Sequence, residues 1–210
     1  MAQVSLSILS CDFLHLGEEL TRLSPFVDRI HFDVMDGHFV PHISFGISLL
    51  QQLPKGLPID VHLMVANPDE VFRDYIPFAD VLYIHYESAR ELTLEVLKHI
   101  RDAGKSAGLT LNPETPVSAV AERLQHCTHI TIMSVHPGAG GQACMVETLD
   151  KIPEVKKINP NIIVTVDGGM NAETAPLARA KGADILVSGS FLSKNTDVEA
   201  AAKILRGYVQ

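Results

Sequence analysis

The stretch LTLEVLKHIRDAGKSAGLTL, residues 92–111, decides the architecture. Leu92, Val96, Leu97 and Ile100 recur at helical spacing and share one face of an amphipathic helix. Ala103-Gly104 closes that helix, because glycine takes the left-handed conformation that ends helices without steric cost. Ala107–Leu111 follows as a short apolar run that reads as a buried strand. The same grammar extends in both directions. Val146, Leu149, Ile152 and Val155 form another helical face, and Lys181-Gly182-Ala183 closes a helix just before a strand. Strand-like runs occupy 4–9, 29–33, 59–65, 81–85, 107–111, 130–135, 162–166 and 185–188.

These eight βα units average about 26 residues, somewhat trimmed from the ~250-residue norm for a closed (β/α)8 barrel. A doubly wound open sheet is the competing architecture. Eight regular units without a Gly/Ser linker or composition shift favour the closed barrel, with 1–210 as a single domain. Pro25, Pro54, Pro68, Pro77, Pro116 and Pro176 fall near element boundaries or first turns, where a missing N–H costs least.

Composition removes several function classes. Apolar residues at 46% and charged residues at 20% exclude a disordered or collagen-like chain. The net charge of −8 and the lack of a long Lys/Arg run argue against nucleic acid as a partner. Cys11, Cys127 and Cys144 show no metal-ribbon spacing and suit reduced thiols, hence a cytoplasmic protein. MAQVSLSILS at the N-terminus has no basic stretch followed by an apolar core, and no run of 18 apolar residues occurs. Secretion and a membrane partner are not expected.

In a barrel, chemistry belongs at the C-terminal strand ends. Ser7, His31, Asp33, His62, Met64, His85, Asn112, Met133, His136, Asp167, Gly189 and Ser190 lie there. His31 and Asp33, at i and i+2, point to the same face of a strand. With His62 and Asp167 they make a plausible ligand shell for a divalent transition metal, since imidazole and carboxylate suit Zn, Fe, Mn or Co. One such histidine alone is more often a hydrogen-bonded structural residue; four converging residues favour a metal. The loops Pro137-Gly138-Ala139-Gly140-Gly141-Gln142, Gly168-Gly169 and Gly189-Ser190 offer backbone N–H groups to a phosphate. For Gly138–Gly141 a tight turn needing positive φ is an equal alternative. His15, His99 and His126 fall in helical stretches and are expected to be solvated, while His38 and His42 lie in a loop. No lysine occupies a strand C-terminus, which disfavours a Schiff-base aldolase, and Ser7 lacks a His-Asp relay.

Taken in order and spacing, Ser7–Phe13, His31–Pro41, His62–Val65, Pro137–Gln142, Val166–Gly169 and Val187–Ser190 resemble the ribulose-phosphate 3-epimerase family over essentially the whole chain. The resemblance implies a TIM barrel of the ribulose-phosphate-binding type and one divalent metal ion held by His31, Asp33, His62 and Asp167. Asp33 and Asp167 would be the acid/base pair for 3-epimerisation through a cis-enediolate. Met35, Met64 and Met133 would form a thioether wall, with simple packing an equal alternative for them. Ser7 and His62 would touch the phosphosugar, and Gly138, Ala139, Gly140, Gly141, Gly168, Gly169, Gly189 and Ser190 would hold its phosphate end. A homo-oligomer, dimer or hexamer, is also implied.

The sequence departs from the family pattern in places. Leu6 stands where proline is usual, Ala139 replaces a phenylalanine, His136 replaces Asn, Glu or Asp, and His85-Tyr86-Glu87-Ser88 replaces His-x-Glu-Ala. Leu111–Pro116 is similar to the segment of relatives that epimerise allulose 6-phosphate. Two alternatives therefore stand beside a ribulose 5-phosphate 3-epimerase: an allulose 6-phosphate 3-epimerase and a non-catalytic phosphosugar-binding barrel.

Overall fold

Strands β2 (Arg29–Met35) and β3 (Ile59–Met64) run parallel, with Asp33 opposite His62 and Met35 opposite Met64. This register sets two ligand-type residues side by side at one end of the sheet. In the computed structural model, which describes residues 1–208, β1 (Gln3–Ser7), β4 (Val81–His85), β5 (Ser106–Leu111), β6 (His129–Met133), β7 (Ile163–Asp167) and β8 (Ile185–Ser188) complete the sheet. All neighbours are parallel, and β8 pairs with β1 to close the barrel in chain order.

Helices α1 (Leu16–Leu23), α2 (Ile47–Leu50), α3 (Pro68–Tyr75), α4 (Tyr86–Ala89), α5 (Thr93–Asp102), α6 (Lys151–Ile158), α7 (Thr174–Ala180), α8 (Ser190–Ser193) and α9 (Val198–Arg206) lie in the segments between and after the strands. None is long and apolar enough to cross a membrane among the described residues.

The βα alternation is less regular than the sequence suggests. Between β5 and β6 only the 3-10 turns Val117–Val120 and Arg123–Gln125 form. Pro113 and Pro116 have fixed φ and no N–H to give and hold the residues before them out of the helical region, so 112–116 stays non-helical. The buried helical faces also begin later than expected: Leu92 and Val146 are over 40% exposed. β1 stops at Ser7 rather than Leu9 because Ile8–Ser10 turns into a 3-10 helix. β6 stops at Met133 rather than Val135, since Ser134 Oγ turns to donate to the Asp167 and Gly168 carbonyls at 3.1 and 2.6 Å. β2, in contrast, runs past Asp33 to Met35.

Alternation along the strands separates two environments. Val4, Leu6, Ile30, Phe32, Val61, Leu63, Leu82, Ile84, Leu109, Ile130, Ile132, Val164, Val166 and Leu186 belong to one buried apolar cluster with helical residues such as Leu97, Ile100, Ile152 and Leu205. Each fully buried aliphatic side chain there contributes about 1.5–3 kcal/mol relative to exposure. The other face of the strands carries polar groups. Arg29 pairs with Asp60 at 2.6 Å, Ser5 Oγ donates to Asp60 at 3.0 Å, and the Tyr83 hydroxyl lies 3.1 Å from Thr165 Oγ1 across the barrel. Gly108 is required beneath that ring, because a Cβ there would come within 2.2 Å of Tyr83 Cδ1.

Candidate active site and metal centre

At the C-terminal end of the barrel interior, four donor atoms converge. His31 Nε2 lies 3.3 Å from His62 Nδ1, 3.3 Å from Asp33 Oδ1 and 3.4 Å from Asp167 Oδ2. His62 Nδ1 lies 3.2 Å from Asp33 Oδ1 and 3.5 Å from Asp167 Oδ2. Both histidines are fully buried, Asp33 nearly so, and Asp167 reaches the surface of the cavity above.

This donor set fits a metal. Atoms at the corners of a tetrahedron around an ion bound at about 2.0–2.1 Å are about 3.3–3.4 Å apart. The five spacings above run from 3.2 to 3.5 Å. His31 Nδ1 has no hydrogen-bond partner, so the ring's polar engagement is through Nε2 in the cluster. The residues that the sequence singled out as ligands are thus brought to one point.

Electrostatics lead to the same reading. Burial alone would lower the histidine pKa values, but Asp33 and Asp167 overcome it, holding His31 well above its ordinary value and raising His62. Burial would raise the carboxylates, yet the histidines hold both below the usual range. Two carboxylates in a dry site demand compensating positive charge, which protons on the imidazoles or a divalent cation can supply.

The aspartates differ in their second oxygens. Asp33 Oδ2 accepts from Ser7 Oγ at 2.7 Å. Among the described residues, Asp167 Oδ1 receives no hydrogen bond. Behind His62, its Nε2 lies 2.8 Å from His85 Nε2, and Glu87 stands beyond. Burial pulls His85 down to about 4, so it is neutral at pH 7; burial would raise Glu87, but its hydrogen bonds to His85 and Thr115 hold it below the usual range. The sequence placed His85 at a strand end without giving it a role. The partnership with Glu87 escaped notice because it depends on how α4 turns back on the strand.

Above the cluster opens a cavity of about 430 Å³. Ser7, Asp33, Met35, Met64, Met133, Gly138, Ala139, Gly140, Gly141, Asp167, Gly168, Gly169, Gly189 and Ser190 all line it. His62 does not; it sits beneath, fully buried. Met35 and Met64 pack with Val40, so cavity wall and core packing are both served. Gly138 and Gly141 have φ of 119° and 76°, which bears out the turn requirement in that loop. Ser10 and Lys194 also line the cavity and were not anticipated. Ser10 is brought in by the 3-10 turn after β1, and Lys194 by the shortness of α8.

The departures at 136 and 139 lie on the rim. His136 is 64% exposed and its Nε2 is 2.6 Å from Glu114 Oε1, while Ala139 is exposed. His15, His99 and His126 are exposed, as expected. Cys11 and Cys127 are buried, with their thiols pushed up to about 11 and about 12, values of unreactive core cysteines.

Known proteins resemble this chain in fold or in sequence. By fold, the chain is similar to a 3-hexulose-6-phosphate synthase, with a TM-score of 0.72, 16% identity and 98% of each chain covered. It is likewise similar to 3-keto-L-gulonate-6-phosphate decarboxylase from Vibrio cholerae, with a TM-score of 0.74 and 11% identity over 98% of this chain and 96% of that one. By sequence, it is 39% identical to the ribulose-phosphate 3-epimerase of Bacillus subtilis, over 99% of both chains. It is 38% identical to that of Methanocaldococcus jannaschii, over 98% of this chain and 90% of the relative. The profile of the ribulose-phosphate 3 epimerase family, a family of isomerases, matches residues 3–193. With the family's match spanning the whole barrel, from β1 through α8, this chain belongs to the ribulose-phosphate 3 epimerase family.

Proposed function

We propose that this chain catalyses the metal-dependent 3-epimerisation of a ketose phosphate, with D-ribulose 5-phosphate and D-xylulose 5-phosphate as the pair. One observation carries the reading: Asp33 from β2 and Asp167 from β7 meet at the same two histidines on the floor of one cavity. Epimerising a carbon beside a ketone requires taking a C–H proton from one face and returning one to the other. A single base cannot readily reach both faces; two carboxylates on different strands can.

In the forward direction one aspartate, ionised, takes the C3 proton; the other, which the histidines favour ionised in the free site and which must take up a proton when the sugar binds, gives one back from the opposite side of the resulting cis-enediolate. The roles exchange in reverse. Ser7 orients Asp33 through its 2.7 Å hydrogen bond. A divalent transition ion (Zn, Fe, Mn or Co) held by His31, Asp33, His62 and Asp167 supplies Lewis-acid stabilisation of negative charge on the sugar oxygens. Met35, Met64 and Met133 give the cavity a dry, polarizable wall. Backbone N–H groups of the loops at 138–141, 168–169 and 189, with the Ser190 hydroxyl, hold the phosphate.

Turnover in D2O tests the reaction: deuterium is expected at C3 of both product and recovered substrate, and tight binding without C3 exchange would instead make this a phosphosugar-binding barrel. Less than about 0.2 equivalents of any transition metal in chelator-free protein would count against the metal site. One observation favours allulose 6-phosphate as a second substrate: the exposed Ala139 leaves room at the cavity rim. We take 1–210 as one domain, so a single cooperative unfolding transition is expected. The homo-oligomer is supported by Leu14 and Ile43, 89% and 80% exposed beside the Phe13–Phe45 contact, and light scattering would determine its size.

A further inference from the structure

The hydrogen bonds leading away from the metal cluster form one chain. His62 Nε2 is 2.8 Å from His85 Nε2, and His85 Nδ1 is 3.4 Å from Glu87 Oε2. Glu87 Oε1 in turn accepts from the Asn112 backbone N–H at 2.9 Å and from the Thr115 hydroxyl. Both rings are fully buried and stacked, with centroids 4.9 Å apart. His85, Glu87, Asn112 and Thr115 do not line the cavity, so this chain of bonds runs away from it, behind the cluster.

Its direction is fixed at the far end. A carboxylate only accepts, so Glu87 takes the proton on His85 Nδ1. That leaves His85 Nε2 bare to accept from His62 Nε2–H, and His62 Nδ1 then presents its lone pair toward Asp33 and Asp167. The reverse arrangement would set a bare His85 Nδ1 against the carboxylate and put a proton on the His62 atom needed as ligand. We propose that Glu87, acting through His85, fixes the His62 tautomer that can bind metal, so that both are positioning residues for the ligand shell; this rests on the metal reading above. Histidine ligands commonly depend on such an outer partner, whose loss weakens metal binding by about 10- to 100-fold.

The test is Glu87→Gln in the full chain. Its single amide oxygen is claimed by the Asn112 N–H and the Thr115 hydroxyl, which turns the NH2 group toward His85 Nδ1 and reverses the relay. Zn2+ affinity, read by competition with a chromogenic chelator, is expected to fall about 10- to 100-fold with the circular-dichroism spectrum unchanged. Affinity within twofold of wild type would overturn the proposal. Should the variant fail to fold, the wild-type protein decides. Long-range 1H–15N couplings of the His85 ring are expected to report the proton on Nδ1, and a proton on Nε2 would overturn the relay. A wild-type chain that binds no Zn2+ would sink the metal reading itself, a result distinct from an intact site indifferent to Glu87.

Discussion

Replacing one aspartate at a time should split the epimerisation in half. Asn has the shape of Asp but cannot act as a base. In Asp33→Asn the amide oxygen can still accept the Ser7 hydroxyl that Asp33 now holds at 2.7 Å, and Asp167 has only the two histidines to lose, at 3.4 and 3.5 Å. The cavity should therefore keep its shape in both variants. Loss of a positioned acid or base costs about 10²- to 10⁴-fold, or about 2.7–5.5 kcal/mol of barrier, so interconversion of the two pentulose phosphates should fall by that factor in each. Each variant retains the carboxylate serving one face of C3. In D2O with saturating Zn2+, followed by proton NMR, Asp33→Asn should wash out the C3 proton of one epimer without converting it, and Asp167→Asn that of the other. Metal content measured in the same samples separates a lost base from a lost ligand. If both variants exchange the same epimer, or either epimerises within tenfold of wild type, the two-base argument is wrong.

Other perturbations probe the barrel and the rim. Gly108→Ala would put a Cβ within 2.8 Å of three Tyr83 ring atoms, and the ring is fully buried and tied to Thr165, so a loss of about 1–3 kcal/mol is expected in urea unfolding. A loss below about 0.5 kcal/mol would show that the ring yields. Burial pushes the His129 pKa down to about 4, so the unfolded chain binds its proton first as the pH falls. This group's share of stability is full above about pH 6.5 and declines between there and pH 4; at pH 5 the loss is about 2 kcal/mol. His129→Asn should therefore lose less stability than wild type between pH 7 and pH 5, and equal losses would refute the assignment. At the rim, Ala139→Phe should lower kcat/KM for allulose 6-phosphate more than for ribulose 5-phosphate, within the roughly 1–3 kcal/mol that a methylene's fit commands. The opposite order, or no change in either, would move specificity elsewhere.

The sequence disclosed most where periodicity and chemistry coincided. His31 and Asp33, two apart on a strand, had to share a face, and the strand-end rule brought His62 and Asp167 to the same mouth. What escaped was whatever depended on short-range turning. No periodic signal announces that Ile8–Ser10 curls into a 3-10 turn and carries Ser10 to the cavity, or that the segment after β5 forms no full helix. Glu87 was hidden for a related reason. Two residues after His85 it would lie on the same face of a continuing strand, but α4 begins at Tyr86 and swings the carboxylate back to His85 Nδ1.

The departures from the family pattern sort by where the barrel puts them. Leu6 is fully buried on the outward face of β1, flanked by Ile30 on β2 and Ser188 on β8. A closed barrel has no free edge there, and leucine supplies the N–H that proline would withhold from the ladder, so the exchange changes packing and hydrogen bonding but adds nothing to the interior. His136 and Ala139 sit on the exposed rim, where His136 is engaged by Glu114. Glu87, beside the exchanged Ser88, keeps its carboxylate bound to Asn112 and Thr115. None of these positions contributes an atom to the His31–Asp33–His62–Asp167 cluster. The variation can therefore act on how the barrel packs and on how the open end of the cavity fits a sugar, while the ligand and proton-transfer groups keep the register that β2, β3 and β7 impose.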